Sequence, residues 1–374
     1  MAGTLKLSLF GLLVFLGATA AAPACDKTHQ GSSYTRRPAR PQGTASAGGP
    51  LGSGAGMSIQ PVPSGTASDA VPLPSPIGET QPVPSPPASG NNTAPDTPTT
   101  PAQGLSLAST LIYDLDNTGI NAPTITSGSG VKIDANVYIV DMSGNSAEQI
   151  AAYKEAGKTV VCYFSAGTLE PFRDDVKSFD PTCACGPGGT LNSANECVGG
   201  SGDSKMDDWN EFWLDIHSPT CKTNVQDVMT KRIQAAKEKG CDGMDPDNVD
   251  SYSNGSPHGN TKQDQVDYLL WLSKTIHDAG MIVDLKNSGG LLQGDTGAQL
   301  VDAFDFSVIE SCAVYNECDI YDPFLAAGKP QIQIEYGSSI KSCPALKPGQ
   351  NLAVYRGETL DSKKITLNCP GPSA

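Results

Sequence analysis

The chain has 374 residues, 38% hydrophobic and 17% charged, with a formal net charge of −15. An acidic balance of that size argues against nucleic acid as an electrostatic partner. Four histidines beside eleven cysteines offer little to a zinc centre, and Cys183-Ala-Cys185 has the wrong spacing for one, so no metal or other cofactor is expected.

Residues 1–24 read as a secretory signal: Lys6, the apolar run Leu7 to Leu16, then small residues (GATAAAPA). The run is too short to cross a bilayer, and no later stretch reaches the ~18 apolar residues a membrane helix needs. The expectation is an extracellular protein, free of the membrane once the signal is removed, with association to a wall or matrix left open. The cysteines fit that compartment: ten can form five bridges. The odd one is expected to be Cys162, inside the apolar run Thr159 to Phe164, or else Cys25 beside the new N-terminus.

Residues 25–105 predict a disordered stalk rather than a domain. From Pro61 to Thr100, 11 of 40 residues are proline, and no aromatic occurs between Tyr34 and Tyr113. Such a segment cannot bury enough apolar surface to offset its ordering entropy. Its Ser/Thr content favours O-glycosylation, and Asn91-Asn-Thr93 is an N-glycosylation sequon.

Residues 106–374 have the length of one α/β barrel. Strands are expected at Ala135–Asp141, Thr159–Phe164, Phe212–Ile216, Asp242–Asp247, Met281–Lys286, Phe304–Glu310, Gln331–Tyr336 and Leu352–Tyr355. Helical runs Ala147–Ala156, Asn224–Lys239 and Gln263–Ala279 are stopped by Gly157, Gly240 and Gly280. Alternation of this kind predicts a parallel sheet, and about eight repeats predict closure into a single (β/α)8 TIM barrel.

Active sites of such barrels lie at the C-terminal strand ends. Here those ends carry Asp141, Tyr163 and Ser165, Asp215, the run Asp245-Pro-Asp-Asn-Val-Asp250, Lys286 and Asn287, Glu310 and Tyr315, and Glu335 and Tyr336. This ring of carboxylates lacks a GxSxG elbow. Two carboxylates on facing strands are what glycoside hydrolysis requires, one to protonate the leaving oxygen and one to attack the anomeric carbon or activate water. Asp247 and Glu310 have that spacing. Single acids after strands are often plain turn residues, but so many like charges in one run cost stability that a turn has no need of. Asp242 and Asp250 read as structural caps, Glu335 as a strand end, and Lys286 either as a partner of a carboxylate or as a substrate contact.

The segments Val161-Cys-Tyr-Phe-Ser-Ala-Gly-Thr-Leu-Glu-Pro171, Trp213-Leu-Asp-Ile216, Gly240 to Asp250, Leu285-Lys-Asn287 and Glu310-Ser-Cys-Ala-Val-Tyr-Asn-Glu-Cys318 resemble glycoside hydrolase family 114. These are secreted, spherulin 4-like endo-α-1,4-polygalactosaminidases. The resemblance covers most of residues 109–355. It implies a barrel that cleaves internal α-1,4 bonds in galactosamine polymers with an Asp on strand four and a Glu on strand six. The Glu maps onto Glu310, and the Asp onto Asp247 in preference to Asp245. The matching positions Asp141, Tyr163, Ser165, Asp245, Asn248, Lys286, Asn287 and Tyr315 are the implied substrate contacts. The chain departs from the family at Leu111-Ile-Tyr-Asp-Leu-Asp116, where a tryptophan-rich strand is usual, and in a long insertion from Cys183 to Asp207.

The first 105 residues hold five Lys/Arg and four Asp/Glu, so the barrel carries all the negative charge. An acidic cleft suits a cationic galactosamine-containing polysaccharide, and a monomer is expected. Two alternatives remain open on the sequence: a non-catalytic polysaccharide-binding wall or spore-coat protein, and a glycosidase acting on a neutral α-galactoside.

Overall fold

The computed structural model describes residues 105–115, 125–200, 204–207, 209–358 and 360–372. The signal, the stalk, its sequon and Cys25 lie outside them. One nine-stranded sheet organises the chain. Its strands are β1 (Leu111–Asp114), β2 (Val137–Asp141), β3 (Thr159–Ser165), β4 (Gly243–Asp247), β5 (Ile282–Lys286), β6 (Phe306–Glu310), β7 (Gln331–Tyr336), β8 (Gln350–Tyr355) and β9 (Ile365–Pro370). The first eight pair in sequence order and in parallel, and β9 returns antiparallel to β8. The two ends of the sheet are tied by side chains. Tyr355 Oη donates to Tyr113 O at 2.6 Å and Asn351 Nδ2 to Ser109 O at 3.1 Å. Leu115 N donates to Leu360 O at 2.8 Å. This is a (β/α)8 barrel.

Most residues of the eight strands are buried on both faces, as a parallel sheet covered by helices requires. Helices follow β2 to β6: α1 (Ala147–Glu155), α2 (Pro219–Lys239), α3 (Lys262–Asp278), α4 (Gly294–Ala303) and α5 (Asp322–Ala326). Local chemistry sets their ends. Ser146 with Gln149, and Thr261 with Asp264, form reciprocal capping boxes. Pro219 opens α2, and Gly240 closes it in the left-handed conformation.

Two strand expectations differ from the structure. Leu111–Asp114 is the first barrel strand. The expected strand Phe212–Ile216 is not in the barrel: only Phe212–Trp213 is extended, and it pairs antiparallel with Thr168–Leu169. These residues are buried because they pack beside the ends of β3 and β4, where Leu214 N donates to Gly167 O and Asn248 reaches Glu211. Asp215 accepts from Ser218 N and Oγ at 2.9 and 2.6 Å and so fixes the entry to α2. The two differences cancel in the count, so Asp247 and Glu310 still end strands four and six.

Five disulfides tie the described residues: Cys162–Cys241, Cys183–Cys221, Cys185–Cys197, Cys312–Cys318 and Cys343–Cys369. Cys162 is therefore not the odd cysteine. The parallel pairing that sets Met244 beside Cys162 brings Cys241, at the approach to β4, within reach of its outward side chain.

Candidate active site

Inward-pointing residues of β3, β4 and β5 stack in layers. Val161, Gly243 and Ile282 form the lowest. Gly243 is required there, because a Cβ would lie 2.5 Å from the Ile282 side chain. Tyr163 and Asp245 stand side by side in the next layer, and Ser165 and Asp247 in the one above. On β5, Asp284 and Lys286 continue the same alternation.

Asp247 sits at the mouth with 7% of its surface exposed. Tyr163 Oη donates to its Oδ2 at 3.1 Å. Lys286 Nζ lies 3.4 Å from Asp247 Oδ1 and 3.5 Å from Glu310 Oε2. That ammonium is wholly buried. It also donates to Tyr113 Oη at 3.0 Å and lies 4.8 Å from the centre of the Tyr113 ring. One buried cation thus lies within salt-bridge distance of both carboxylates.

Glu310 is half-buried and held from both sides. Asn287 Nδ2 donates to its Oε2 at 2.8 Å, and the Glu310 amide returns a bond to Asn287 Oδ1 at 2.9 Å. Tyr336 Oη bonds Oε1. Tyr315 lies half-buried on the short turn that follows Glu310. The residues directly after Asp247, Lys286 and Glu310 all take positive φ: Asn248 at 60°, Asn287 at 53° and Ser311 at 59°. The chain turns sharply off each of these strand ends, in a conformation asparagine tolerates better than most residues.

Asn248 Nδ2 reaches Ser165 Oγ at 3.0 Å and Glu211 Oε2 at 3.2 Å. Thr168 Oγ1 donates to Glu211 Oε2 at 2.6 Å. Gly167 makes this possible: a Cβ there would fall 1.7 Å from Asn248 O. Asp141 is gripped by Arg173 through two bonds of 3.0 and 2.7 Å, and Glu170 shares the guanidinium at 2.8 Å. Asp242 behaves as a structural residue, accepting from Val160 N at 3.0 Å and pairing with Lys154 at 2.8 Å.

The structure thus gathers Asp247, Tyr163, Lys286, Asn287 and Glu310 into one contact set, with Asn248 and Ser165 beside it. Ser165 and Asp245 have no exposed surface. In this they match Lys286, which is equally enclosed. Glu335 is 1% exposed, burial pushes its carboxyl up from the ordinary value, and it accepts from Ala313 N at 2.8 Å. It therefore braces the turn after Glu310. Tyr336, expected among the strand-end residues, contacts Glu310 directly. Tyr113, Arg173 and Glu211 were missed; they carry no local signal.

A family model described as glycoside-hydrolase family GH114 matches residues 90–365. No curated protein matches the chain. Among solved structures, the chain is similar to Aspergillus fumigatus Ega3 in complex with galactosamine. That likeness has 27% identity, a TM-score of 0.55, and covers 72% of this chain and 99% of that one. It is also similar to the glycoside hydrolase domain of PelA from Pseudomonas aeruginosa, at 14% identity and a TM-score of 0.46, covering 70% of this chain and 98% of that one.

Proposed function

The chain belongs to glycoside-hydrolase family GH114, and from that premise we propose that it is a secreted, endo-acting hydrolase of α-1,4 bonds in galactosamine-containing polysaccharide. The observation that carries the reading is the pairing of Asp247 and Glu310 about Lys286. The relative Ega3 was captured with galactosamine, which supports the sugar. Five disulfides support an oxidising compartment, and so secretion as one domain behind a signal and stalk.

The two carboxylates have distinct tasks. Glu310 Oε2 meets two donors, Asn287 and Lys286, whereas Oε1 meets a hydroxyl, which can accept as well as donate. The acid proton therefore belongs on Oε1. Glu310 passes it to the glycosidic oxygen as the bond to the anomeric carbon breaks, and Asp247 forms the bond to that carbon. Water then displaces Asp247, giving its proton to Glu310. The shared contact with Lys286 limits the distance between the two oxygens to about 7 Å, the sum of the two contacts. A limit of that size admits the ~5–5.5 Å of retaining enzymes, the outcome that a covalent bond from Asp247 requires. Asn248 and Tyr315 border the pair as sugar contacts, and Asp141 contributes through Arg173.

The test is digestion of partly deacetylated α-1,4-galactosamine polymer, followed by mass spectrometry at low and high salt. Release of internal oligosaccharides, weakened by salt as a polycation on an acidic cleft requires, is expected. No release would overturn the reading. Cleavage of a neutral α-galactan with no salt effect would favour the neutral substrate instead.

A further inference from the structure

Beneath the catalytic layer lie two carboxyl groups that the mechanism does not use. The β4–β5 ladder pairs Gly243 with Ile282 and Met244 with Val283. The next step sets Asp245 beside Asp284, both at 0% exposure. Apart from its own amide and the Asp245 carboxyl, the Asp284 side chain meets no N–H or O–H donor among the described residues. A wholly buried carboxylate with so few donors is costly, and two adjacent ones cannot both ionise cheaply. A proton on one of the two turns the contact into a hydrogen bond.

We propose that Asp245 and Asp284 share one proton, so that the pair carries a single negative charge under Lys286 and acts as a positioning element for the Asp247–Glu310 site. Asp247 and Lys286 each stand two residues beyond a member of the pair, on the same inward face. From β3 the pair is faced by Tyr163. From β6 it is faced by Phe306 and then Val308, with Glu310 above. Lys286 is thus the cation nearest to it. Burial, and then the charge of Asp245, push the Asp284 carboxyl well above the ordinary carboxylate range, while Lys286 pulls it the other way. A single charge below helps hold the ammonium between Asp247 and Glu310. A second would draw it downward and away from them.

The inference rests on the hydrolase reading, and its test counts the charge. Asp245→Asn and Asp284→Asn each leave the pair at one negative charge, because the amide replaces the protonated carboxyl. Each is expected to leave the pH–rate profile in place, whatever it does to kcat. The double variant removes the charge and should move the whole profile down by about one pH unit, since Lys286 then acts on Asp247 and Glu310 less opposed. A shift in either single variant means both groups were ionised and overturns the proposal. A double variant with an unmoved profile overturns it equally. If the variants fail to fold, the infrared spectrum of the wild type near neutral pH must show the carbonyl band of a buried protonated carboxyl, and its absence sinks the idea. That band does not depend on turnover, so failure of this proposal is separable from failure of the hydrolase reading.

Discussion

Removing the ammonium of Lys286 tests the electrostatics of the site. Its contacts of 3.4 and 3.5 Å with Asp247 and Glu310 each amount to about 5 kcal/mol at an effective dielectric of about 20, before the cost of burying the charge. Breaking a buried ion pair by deleting one partner typically costs about 3–5 kcal/mol. Lys286→Met fills the space without the charge. It should lower stability by that amount near neutral pH and by less in acid, where the carboxylates take up protons. Without the cation, the two facing carboxylates lose their shared counter-ion, so kcat/KM should fall at least about tenfold. Lys286→Arg should not restore activity, because a forked guanidinium does not fit a wholly enclosed site built for a compact ammonium. The assays are denaturant unfolding and a full pH–rate profile. Wild-type stability together with kcat/KM within tenfold of wild type would refute the assignment of Lys286 as shared counter-ion.

Other expectations follow from particular contacts. Gly167→Ala drives a Cβ into Asn248 O; it should depress kcat at least about tenfold by displacing the turn beside Asp247, and wild-type kcat would contradict that. Burial raises the Asp175 carboxyl, but its bond to Arg232 outweighs this and holds it below the ordinary value. The stabilisation is therefore present above the unfolded carboxylate pKa and is lost as pH falls through the lowered one. Asp175→Asn should cost about 1 kcal/mol near neutral pH, given the partial exposure of Asp175, and nothing in strong acid. An equal cost at both would be inconsistent with the ion pair. Replacing Cys162 and Cys241 by Ala opens a link across 79 residues and should lower unfolding free energy by about 2–4 kcal/mol. Unchanged unfolding would show that the bridge adds nothing.

The barrel and its central pair were legible in the sequence because strand-end chemistry is local. A carboxylate after an apolar run, at the C-terminal end of a strand, marks the mouth without any tertiary information. What stayed illegible was non-local. Phe212–Ile216 has the composition of a core strand, yet its apolar residues are buried in an excursion beside the ends of β3 and β4, and a short apolar run does not tell those cases apart. Cys162 sits among apolar residues like a core thiol, and only the β3–β4 pairing reveals Cys241. Asp245 shares its motif with Asp247, but the pleat places it one layer deeper, beside an aspartate on the next strand. Arg173 binds Asp141 across 32 residues of chain, with nothing in its own neighbourhood to announce it.

The central claim is the division of labour between Asp247 and Glu310. It is tested most directly by measuring kcat on partly deacetylated α-1,4-galactosamine polymer for Asp247→Asn, Glu310→Gln and Asp245→Asn, each verified as folded. The account predicts losses of about 1,000-fold or more for the first two and a much smaller loss for the third. An active Asp247→Asn beside a dead Asp245→Asn would contradict it.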